Sequence, residues 1–511
     1  MMTAKALRSD HTLSGLLHGL TEASIRREVA ISGLALDSRK VQSGDLFLAV
    51  AGSRTHGLHH ARQAIALGAA AVAWEPAANE PGLAELAALL PVPVITVRGL
   101  SRLVGQIADR FYGYPSHGLF VIGVTGTDGK TSCSHYIAQA LDSSDRRCGV
   151  IGTLGYGLYS ELSTGTHTTP DALTVQQTLY AMQLQGARCV VAEVSSHAMD
   201  QARVSGVDFD VALLTNLSRD HLDYHGDVES YAYAKRKLFH SSGLRYAVIN
   251  ADDAFGRTLL DDIPPGVAPI AYRLEGEPYR TRYPAQWVIG RNLKLDLSGI
   301  SVEVHTPWGG GVLESSLLGR FNACNLLASL ASLCVAGLPF EEALLRLART
   351  RTVPGRMERF EMGTGRPLAV VDYAHTSGAL DEVLKSLRVH CAGKLWCVFG
   401  AGGDRDRGKR PLMAAVAERR ADRIVLTDDN PRTENPERIM ADICTGLAYP
   451  ERVRIEHDRA VAINSALEEA GPDDIVLIAG KGHETVQIRG NKSIPFSDRE
   501  RVMALQREWA R

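Results

Sequence analysis

The stretch "VIGVTGTDGKTS", Val121 to Ser132, sets a Lys-Thr pair at the end of a glycine-rich turn. It misses the G-x-x-x-x-G-K-[ST] spacing of phosphate loops, because Val124 stands five before Gly129 and the nearest glycines are Gly123 and Gly126. The surrounding pattern still points to phosphate. An apolar strand ends at Val124, and "KTSCSHYIAQAL" reads as a helix with Tyr136, Ile137 and Leu141 on one side. A strand, a tight turn and a helix N-terminus aim backbone N–H groups at an anion. Lys130 adds a compact positive charge, and the Thr131 hydroxyl can ligate Mg2+. A mononucleotide triphosphate is the expected ligand.

A metal needs carboxylates close by. Glu193 ends the run "CVVAEV" and is followed by the polar turn Ser195-Ser196-His197. A carboxylate at the carboxyl end of a parallel strand suits Mg2+, although a lone Glu there is equally a solvated loop residue. The next run, "VALLTN", leads into "LSRDHLDYHG", which gathers Asp220, His221, Asp223 and His225 within a few positions. In "SYAYAKRKLFH", Tyr231, Lys235, Leu238 and Phe239 recur at i, i+4, i+7 and i+8, so Lys235 lies on the apolar face while Arg236 and Lys237 point elsewhere. Burying an ammonium is costly or forces its pKa down. A neutral amine can take up carbon dioxide as a metal-ligating carbamate; a lysine that snorkels off the face satisfies the same periodicity.

Three further strand ends carry charge. "FGAGGDRDRGKRP" departs from G-x-G-x-x-G because Arg405 replaces the third glycine, which disfavours a dinucleotide. "TDDNPRTENPERIM" presents Asp428, Asp429, Asn430 and Arg432, and "AGKGHETVQI" presents Gly480 and Glu484. Arginine forks, an amide and carboxylates together suit a substrate with both amine and carboxylate. Singly, each is also readable as a surface ion pair of little worth.

The elements that must position these groups follow an α/β pattern. Residues 1–99 alternate short apolar runs such as "DLFLAV" with Ala-rich helical text such as "HHARQAIALGAAAVAW". The helix-like "SRLVGQIADRFYG" precedes a boundary signal at Pro115-Ser-His-Gly and is assignable to either side. To about residue 350 the text repeats strand, turn and helix, with "RCVVAEV", "DVALLTN" and "YAVIN" apolar on both faces, as in a covered parallel sheet, and it closes on "NACNLLASLASLCVAG". After "RTVPGRM" the alternation restarts as a doubly wound pattern. Three α/β domains are expected, over 1–99, 100–350 and 351–511. At 511 residues, 45% hydrophobic, 22% charged and net charge -2, the chain reads as globular, without the basic character of a nucleic-acid or anionic-membrane binder. The eight cysteines lack a C-x-x-C pair, so they are expected as buried thiols of a cytosolic protein. Neither a signal peptide nor a long apolar span is found, so membrane insertion is not expected.

These motifs together resemble the Mur ligases of peptidoglycan synthesis, relatives of the folylpolyglutamate synthases. That family uses a shortened T-G-T-[ND]-G-K-T loop, which accounts for the misfit at Val124. "LDSRKVQSGDLFLA" is similar to its UDP-binding first domain. "HTTPDAL", "EVSSHAMDQARV", "TNLSRDHLDYHGD" and "YAKRKLF" are similar to its central P-loop ATPase. "VPGRMERF", "DYAHTSGALDEVL" and "GKGHETVQI" are similar to its Rossmann-like C-terminal domain.

The resemblance implies ATP-dependent amide synthesis through an acyl phosphate, with Mg2+, in a monomer that acts on small molecules. It implies ATP contacts at Gly126, Thr127, Asp128, Gly129, Lys130, Thr131, Asn322, Asn325, Arg356 and Asp372. Glu193 would share the first metal with Thr131, and His221 and carbamylated Lys235 (N6-carboxylysine) would serve a second. Ser38, Arg39, Thr168, Thr169, Ser196, Gln201 and Arg203 would hold a UDP-N-acetylmuramoyl-dipeptide. Arg405, Asp429, Asn430, Arg432, Gly480 and Glu484 would hold meso-diaminopimelate, because D-N-P-R resembles the signature of members that add it. A lysine-adding member is disfavoured by Arg432, which would find no distal carboxylate on lysine. A folylpolyglutamate synthase would lack the first domain, and a nucleotide switch would not need the second-metal lysine. Asp128 stands where the family usually has Asn, and its role stays open.

Overall fold

The computed structural model describes residues 11–52, 55–165, 167–296 and 299–509, and of Leu222 and Asp223 the backbone alone; the acidic side chain expected at Asp223 lies outside the described residues. Three sheets organise the chain. The first has four parallel strands in chain order, Gly33–Ala35, Asp45–Ala49, Ala71–Trp74 and Val94–Thr96. Part of the helical reading of this region is corrected here. The helix Ala61–Ala66 stops early, and "AVAW" is a fully buried strand. Gly68 makes the break at φ 106, where a Cβ would stand 2.9 Å from the Ser43 Cα. Alanine between β-branched and aromatic residues then fills a strand covered on both faces.

The helix Leu100–Phe111 buries Leu100, Val104, Ile107, Ala108 and Phe111 in one cluster with Leu46, Leu48 and Ala71 of the first sheet and Ala172 and Leu173 of the next unit. It therefore bonds the two units by apolar packing. The second sheet has ten strands, with Phe120–Thr125 between Ala187–Glu193 and Val211–Leu214, all parallel. Helices Lys130–Leu141 and Arg320–Val335 cover one face, and Ala172–Leu184 the other. The strand–helix alternation expected up to residue 350 breaks over Gln286–Asp296, Gly299–Thr306 and Gly309–Ser315, which extend the sheet as an antiparallel meander. Their outer halves alternate less and more exposed residues, the period of a strand with one wet face.

The third sheet has six strands, ordered Glu358–Glu361, Leu368–Asp372, Ile475–Ala479, Leu395–Phe399, Arg423–Leu426 and Arg454–Ile455, parallel but for the first. Separate apolar clusters fill its two faces, one under Ser377–Arg388 and Lys409–Arg420, the other under Arg459–Glu469 and Asp498–Trp509, which is the doubly wound arrangement expected. The last strand inserts between the first two parallel ones. Such a switch in strand order opens a crevice at the carboxyl ends, where Asp372, Gly480 and Asp429 all lie. The eight cysteines are free thiols. Among the described residues no helix is long and apolar enough to cross a membrane.

Candidate active site

The loop between Phe120–Thr125 and Lys130–Leu141 is held from below. Gly126, at φ 146, leaves room for Thr215, whose Oγ1 a Cβ would meet at 1.8 Å; Gly129, at φ 81, abuts the Asn325 amide. The Thr215 hydroxyl donates to the Asp128 carbonyl at 2.6 Å, and the Asp128 N–H donates to Asn216 Oδ1 at 3.0 Å. Asp128 is exposed, and its charge acts on both Lys130 and Lys235. Lys130 Nζ folds back onto the carbonyls of Gly126 (2.9 Å) and Thr127 (2.8 Å), and burial lowers its pKa. These carbonyl contacts occupy the ammonium.

Glu193 is not a solvated loop residue. It is fully buried, at the end of a strand paired directly with Val124. Its Oε2 accepts from Thr131 Oγ1 (2.9 Å) and Thr153 Oγ1 (3.1 Å), and its Oε1 from the Thr153 N–H (2.9 Å). Thr153 also meets Thr168 Oγ1 at 3.1 Å, while Thr169 Oγ1 donates to the Glu193 carbonyl at 2.7 Å. A buried carboxylate with hydroxyls beside a phosphate loop is a hard-oxygen donor set that fits Mg2+, which takes one or two carboxylates and leaves the rest to phosphate and water.

Lys235 is buried on the apolar face of Val228–Arg236 and does not snorkel, an alternative its spacing had left open. Its Nζ donates to the Gly126 carbonyl at 2.7 Å, the same oxygen that Lys130 uses, and lies 4.4 Å from the Tyr231 ring centre. Burial first, and the Lys130 charge second, hold its pKa well below the usual lysine value. His221 sits nearby on a strained backbone (φ 53), its ring 5.0 Å from that of His197 and 6.1 Å from Tyr231. As an ammonium, Lys235 cannot ligate a metal.

The other implied residues separate into contacts made and contacts spent. Arg203 donates to Gln201 Oε1 (2.9 Å) and the Thr169 carbonyl (2.8 Å), which joins Thr169, Gln201 and Arg203, while Ser196 Oγ meets His225 Nε2 at 3.0 Å. On the first sheet, Ser38 donates to Gln63 at 2.8 Å, and Arg39, largely exposed, pairs with Asp37 and draws that carboxyl down to about 2. Asn322 is spent inside the core, between Tyr136 OH (3.1 Å), the Leu318 carbonyl (2.8 Å) and Asn325 (3.2 Å); only Asn325 reaches the loop. Asp372 accepts from the N–H groups of Met357 and Ala374, both at 2.7 Å. Burial raises its pKa against the pull of the Arg356 charge, which also acts on Lys130. Arg356 lies 4.6 Å over the Tyr373 ring. Strand ends of the second and third sheets thus share one electrostatic neighbourhood.

In the third unit, Arg432 has φ 51 and donates through Nη1 to the Gly403 carbonyl at 2.7 Å. Its N–H donates to Ile488 (3.0 Å) and its carbonyl accepts from Gly490 (2.6 Å), so the hairpin Val486–Arg489/Lys492–Pro495 fixes it from both sides. A Cβ on Gly402 would touch Arg432 Nη1 at 2.9 Å and Arg405 Cγ at 3.6 Å, which brings the two arginines together. Gly480, at φ 115, leaves room for Asp429 Oδ2, and Asn430 Nδ2 donates to Glu484 Oε2 at 2.8 Å.

Sequence reasoning passed over Lys481, Arg410 and Arg459, all fully buried. Arg410 bonds Glu434, Asp442 and the Gly402 carbonyl; Arg459 bonds Asp498 and the Ala479 carbonyl. The signal existed: Arg410, Met413, Ala414 and Ala417, and likewise Arg459, Ala462, Ile463, Ala466 and Leu467, follow helical spacing with the arginine on the buried stripe.

Comparison with known proteins places the chain in a family. The chain matches the Mur ligase family catalytic domain over residues 30–112, the Mur ligase middle domain over 124–333 and the Mur ligase glutamate ligase domain over 355–482. It is 51% identical over 490 residues to the UDP-N-acetylmuramoyl-L-alanyl-D-glutamate–2,6-diaminopimelate ligase of Alkalilimnicola ehrlichii, covering 95% of this chain and 96% of that one. To the enzyme of the same name from Coxiella burnetii it is 48% identical, covering 96% and 98%. A solved structure of a ligase with this name superposes with TM-score 0.72 at 36% identity, over 98% of this chain and 100% of that one. The chain belongs to the Mur ligase family.

Proposed function

We propose that this enzyme joins meso-2,6-diaminopimelate to the D-glutamyl carboxylate of UDP-N-acetylmuramoyl-L-alanyl-D-glutamate, using ATP with Mg2+ and releasing ADP and phosphate. The observation that carries the reading is the pair Arg405 and Arg432 beside Asp429, Asn430 and Glu484: a guanidinium fork next to carboxylates suits an amino acid whose far end bears both carboxylate and ammonium. The names of the relatives support the same substrate. In this reading the three units 1–99, 100–350 and 351–511 hold the uridine nucleotide, ATP and amino acid respectively.

A free carboxylate is a poor electrophile, so phosphoryl transfer to the glutamyl oxygen precedes amide formation. Lys130 leaves its carbonyl partners for the phosphates, and the loop N–H groups and the helix N-terminus at Gly129–Lys130 stabilise the transferring charge. Glu193 and Thr131 would hold Mg2+, which neutralises phosphate oxygens; His221 and carbamylated Lys235 would hold a second ion. Asn325, Arg356 and Asp372 would line the nucleotide's place between the second and third units, and Asn322 would brace Asn325. Arg203, Gln201, Thr168, Thr169 and Ser196 would orient the dipeptide, and Ser38 and Arg39 the uridine end. Closure of the third unit then sets the amine against the acyl phosphate, replacing a bimolecular encounter by a positioned one.

Phosphate release with ATP, Mg2+ and UDP-N-acetylmuramoyl-L-alanyl-D-glutamate, comparing meso-diaminopimelate with L-lysine, tests the reading. Release dependent on diaminopimelate, with the amide product seen by mass, supports it. Preference for lysine would discard the role given to Arg432, and no amine-dependent release would discard the ligase.

A further inference from the structure

Lys481 follows Gly480 at the carboxyl end of Ile475–Ala479 and is wholly withdrawn from water. Its ammonium has two hydrogen bonds, and both go to residues of the amino-acid pocket: Asn430 Oδ1 at 3.0 Å and Glu484 Oε2 at 2.7 Å. Burying an ammonium beside a single carboxylate is expensive, and an apolar side chain of the same length would fill the space at less cost. Packing therefore does not explain a lysine here.

The hydrogen-bond inventory does. Asn430 Oδ1 receives Lys481 Nζ and also the backbone N–H of Ile488 at 2.9 Å. A backbone N–H can only donate, so this end of the amide is the oxygen and both its lone pairs are taken. The amide nitrogen must then face the other way, and it donates to Glu484 Oε2 at 2.8 Å. Glu484 Oε2 thus accepts from Lys481 and Asn430 together. Glu484 Oε1 has no partner among the described residues, although the side chain retains 29% of its exposure. One oxygen is locked to the protein and the other faces outward.

We propose that Lys481 is a positioning residue for the amino-acid substrate: by fixing the Asn430 amide and occupying Glu484 Oε2, it presents Glu484 Oε1 as the acceptor for the ammonium at the substrate's remote end. The inference rests on the diaminopimelate reading and deepens it, because Arg405 and Arg432 take a remote carboxylate and leave the remote ammonium in need of an oriented anion.

The test compares meso-diaminopimelate with 2-aminopimelate, which keeps the remote carboxylate and lacks the remote ammonium. Wild-type enzyme should prefer diaminopimelate in kcat/KM. In Lys481→Met that preference should shrink by about tenfold or more, as expected for losing an oriented charge-assisted hydrogen bond. KM for ATP and for the UDP-linked dipeptide should stay within about twofold of wild type, which a general loss of structure would not allow. Glu484→Gln should lose the same preference, and Lys481→Met added to Glu484→Gln should cost nothing further. This double variant strands neither charge, so it carries the comparison even where Lys481→Met alone folds poorly. An undiminished preference in Lys481→Met, or losses that simply add in the double variant, would overturn the role of Lys481 while leaving the ligase intact. Wild-type enzyme that releases no phosphate with diaminopimelate would instead overturn the proposed function, and this role with it.

Discussion

Arg459 and Asp498 form an ion pair from which water is fully excluded, both side chains having 0% exposure. Nε donates to Oδ1 at 2.7 Å and Nη2 to Oδ2 at 2.8 Å, while Nη2 also holds the Ala479 carbonyl at 2.9 Å. Asp498→Asn keeps the shape, removes the bonded counter-charge and leaves a buried guanidinium with only the more distant charges of Asp429 and Glu484. Breaking a buried pair from one side costs about 3–5 kcal/mol. The amide oxygen retains one of the two bonds, so the low end, about 3 kcal/mol, is expected. At about 2–4 °C per kcal/mol for a unit of this size, the third unit should melt roughly 6–12 °C lower. Differential scanning calorimetry reads the shift, and hydrogen exchange of the Ile475–Ala479 amides assigns it to this sheet. Replacing both partners by apolar residues, Arg459→Met with Asp498→Leu, should recover most of the loss, since no charge is then stranded. A loss under about 1 kcal/mol in Asp498→Asn, or a double variant as unstable as the sum of its singles, would refute the reasoning.

Three shorter predictions follow from the same geometry. Arg432→Ala should lower kcat/KM for diaminopimelate by roughly thirtyfold, the worth of about 2 kcal/mol for charge-assisted bonds, and leave KM for ATP nearly unchanged; steady-state kinetics with equal losses in both would sink its role. His457 has its pKa raised, chiefly by the hydrogen bond from Nδ1 to Asp428 Oδ1 at 2.8 Å. A raised folded pKa adds stability that is complete below the ordinary imidazole value of about 6.5 and is lost as pH climbs through the folded value. Urea unfolding from pH 6 to 9 should therefore weaken with rising pH in wild type more than in His457→Gln, and identical slopes would exclude the effect. Lys235→Ala should abolish turnover, with partial recovery on adding a short carboxylic acid; full activity without the additive would refute the carbamate.

Much of this fold was legible because its signals are local. Strands such as Val211–Leu214 and Tyr246–Asn250 are short, branched and apolar on both faces, which only a covered parallel sheet accommodates. Ala71–Trp74 was not, since alanine favours helix by propensity and the deciding facts are burial on both faces and the turn at Gly68. Of the antiparallel strands, Gly299–Thr306 carries a visible alternation of Ile300, Val302 and Val304 with polar residues that was passed over, whereas Gly309–Ser315 opens on three glycines that hide it. In the site, Glu193 is legible as a strand end, but its hydrogen-bond partners Thr131, on the helix Lys130–Leu141, and Thr153, just after the strand Arg147–Gly152, are invisible to any window of sequence around it. The immersion of Asn322 in the core is likewise a tertiary fact: it requires Tyr136, 186 positions away.

Three basic residues share one sequence signature, a charge on the buried stripe of a helix, and their partners separate them. Arg410 meets Glu434 and Asp442, and Arg459 meets Asp498, so each charge is answered within the chain. Lys235 has no carboxylate within hydrogen-bond reach among the described residues; it shares a single carbonyl with a second lysine. A buried charge with its own counter-ion braces the scaffold, and removing it should cost stability before chemistry. A buried charge without one is tolerable only as a neutral or modified group, or with an external partner in place. That difference in partners, rather than periodicity, separates Lys235 from the two arginines and supports the chemical role proposed for it.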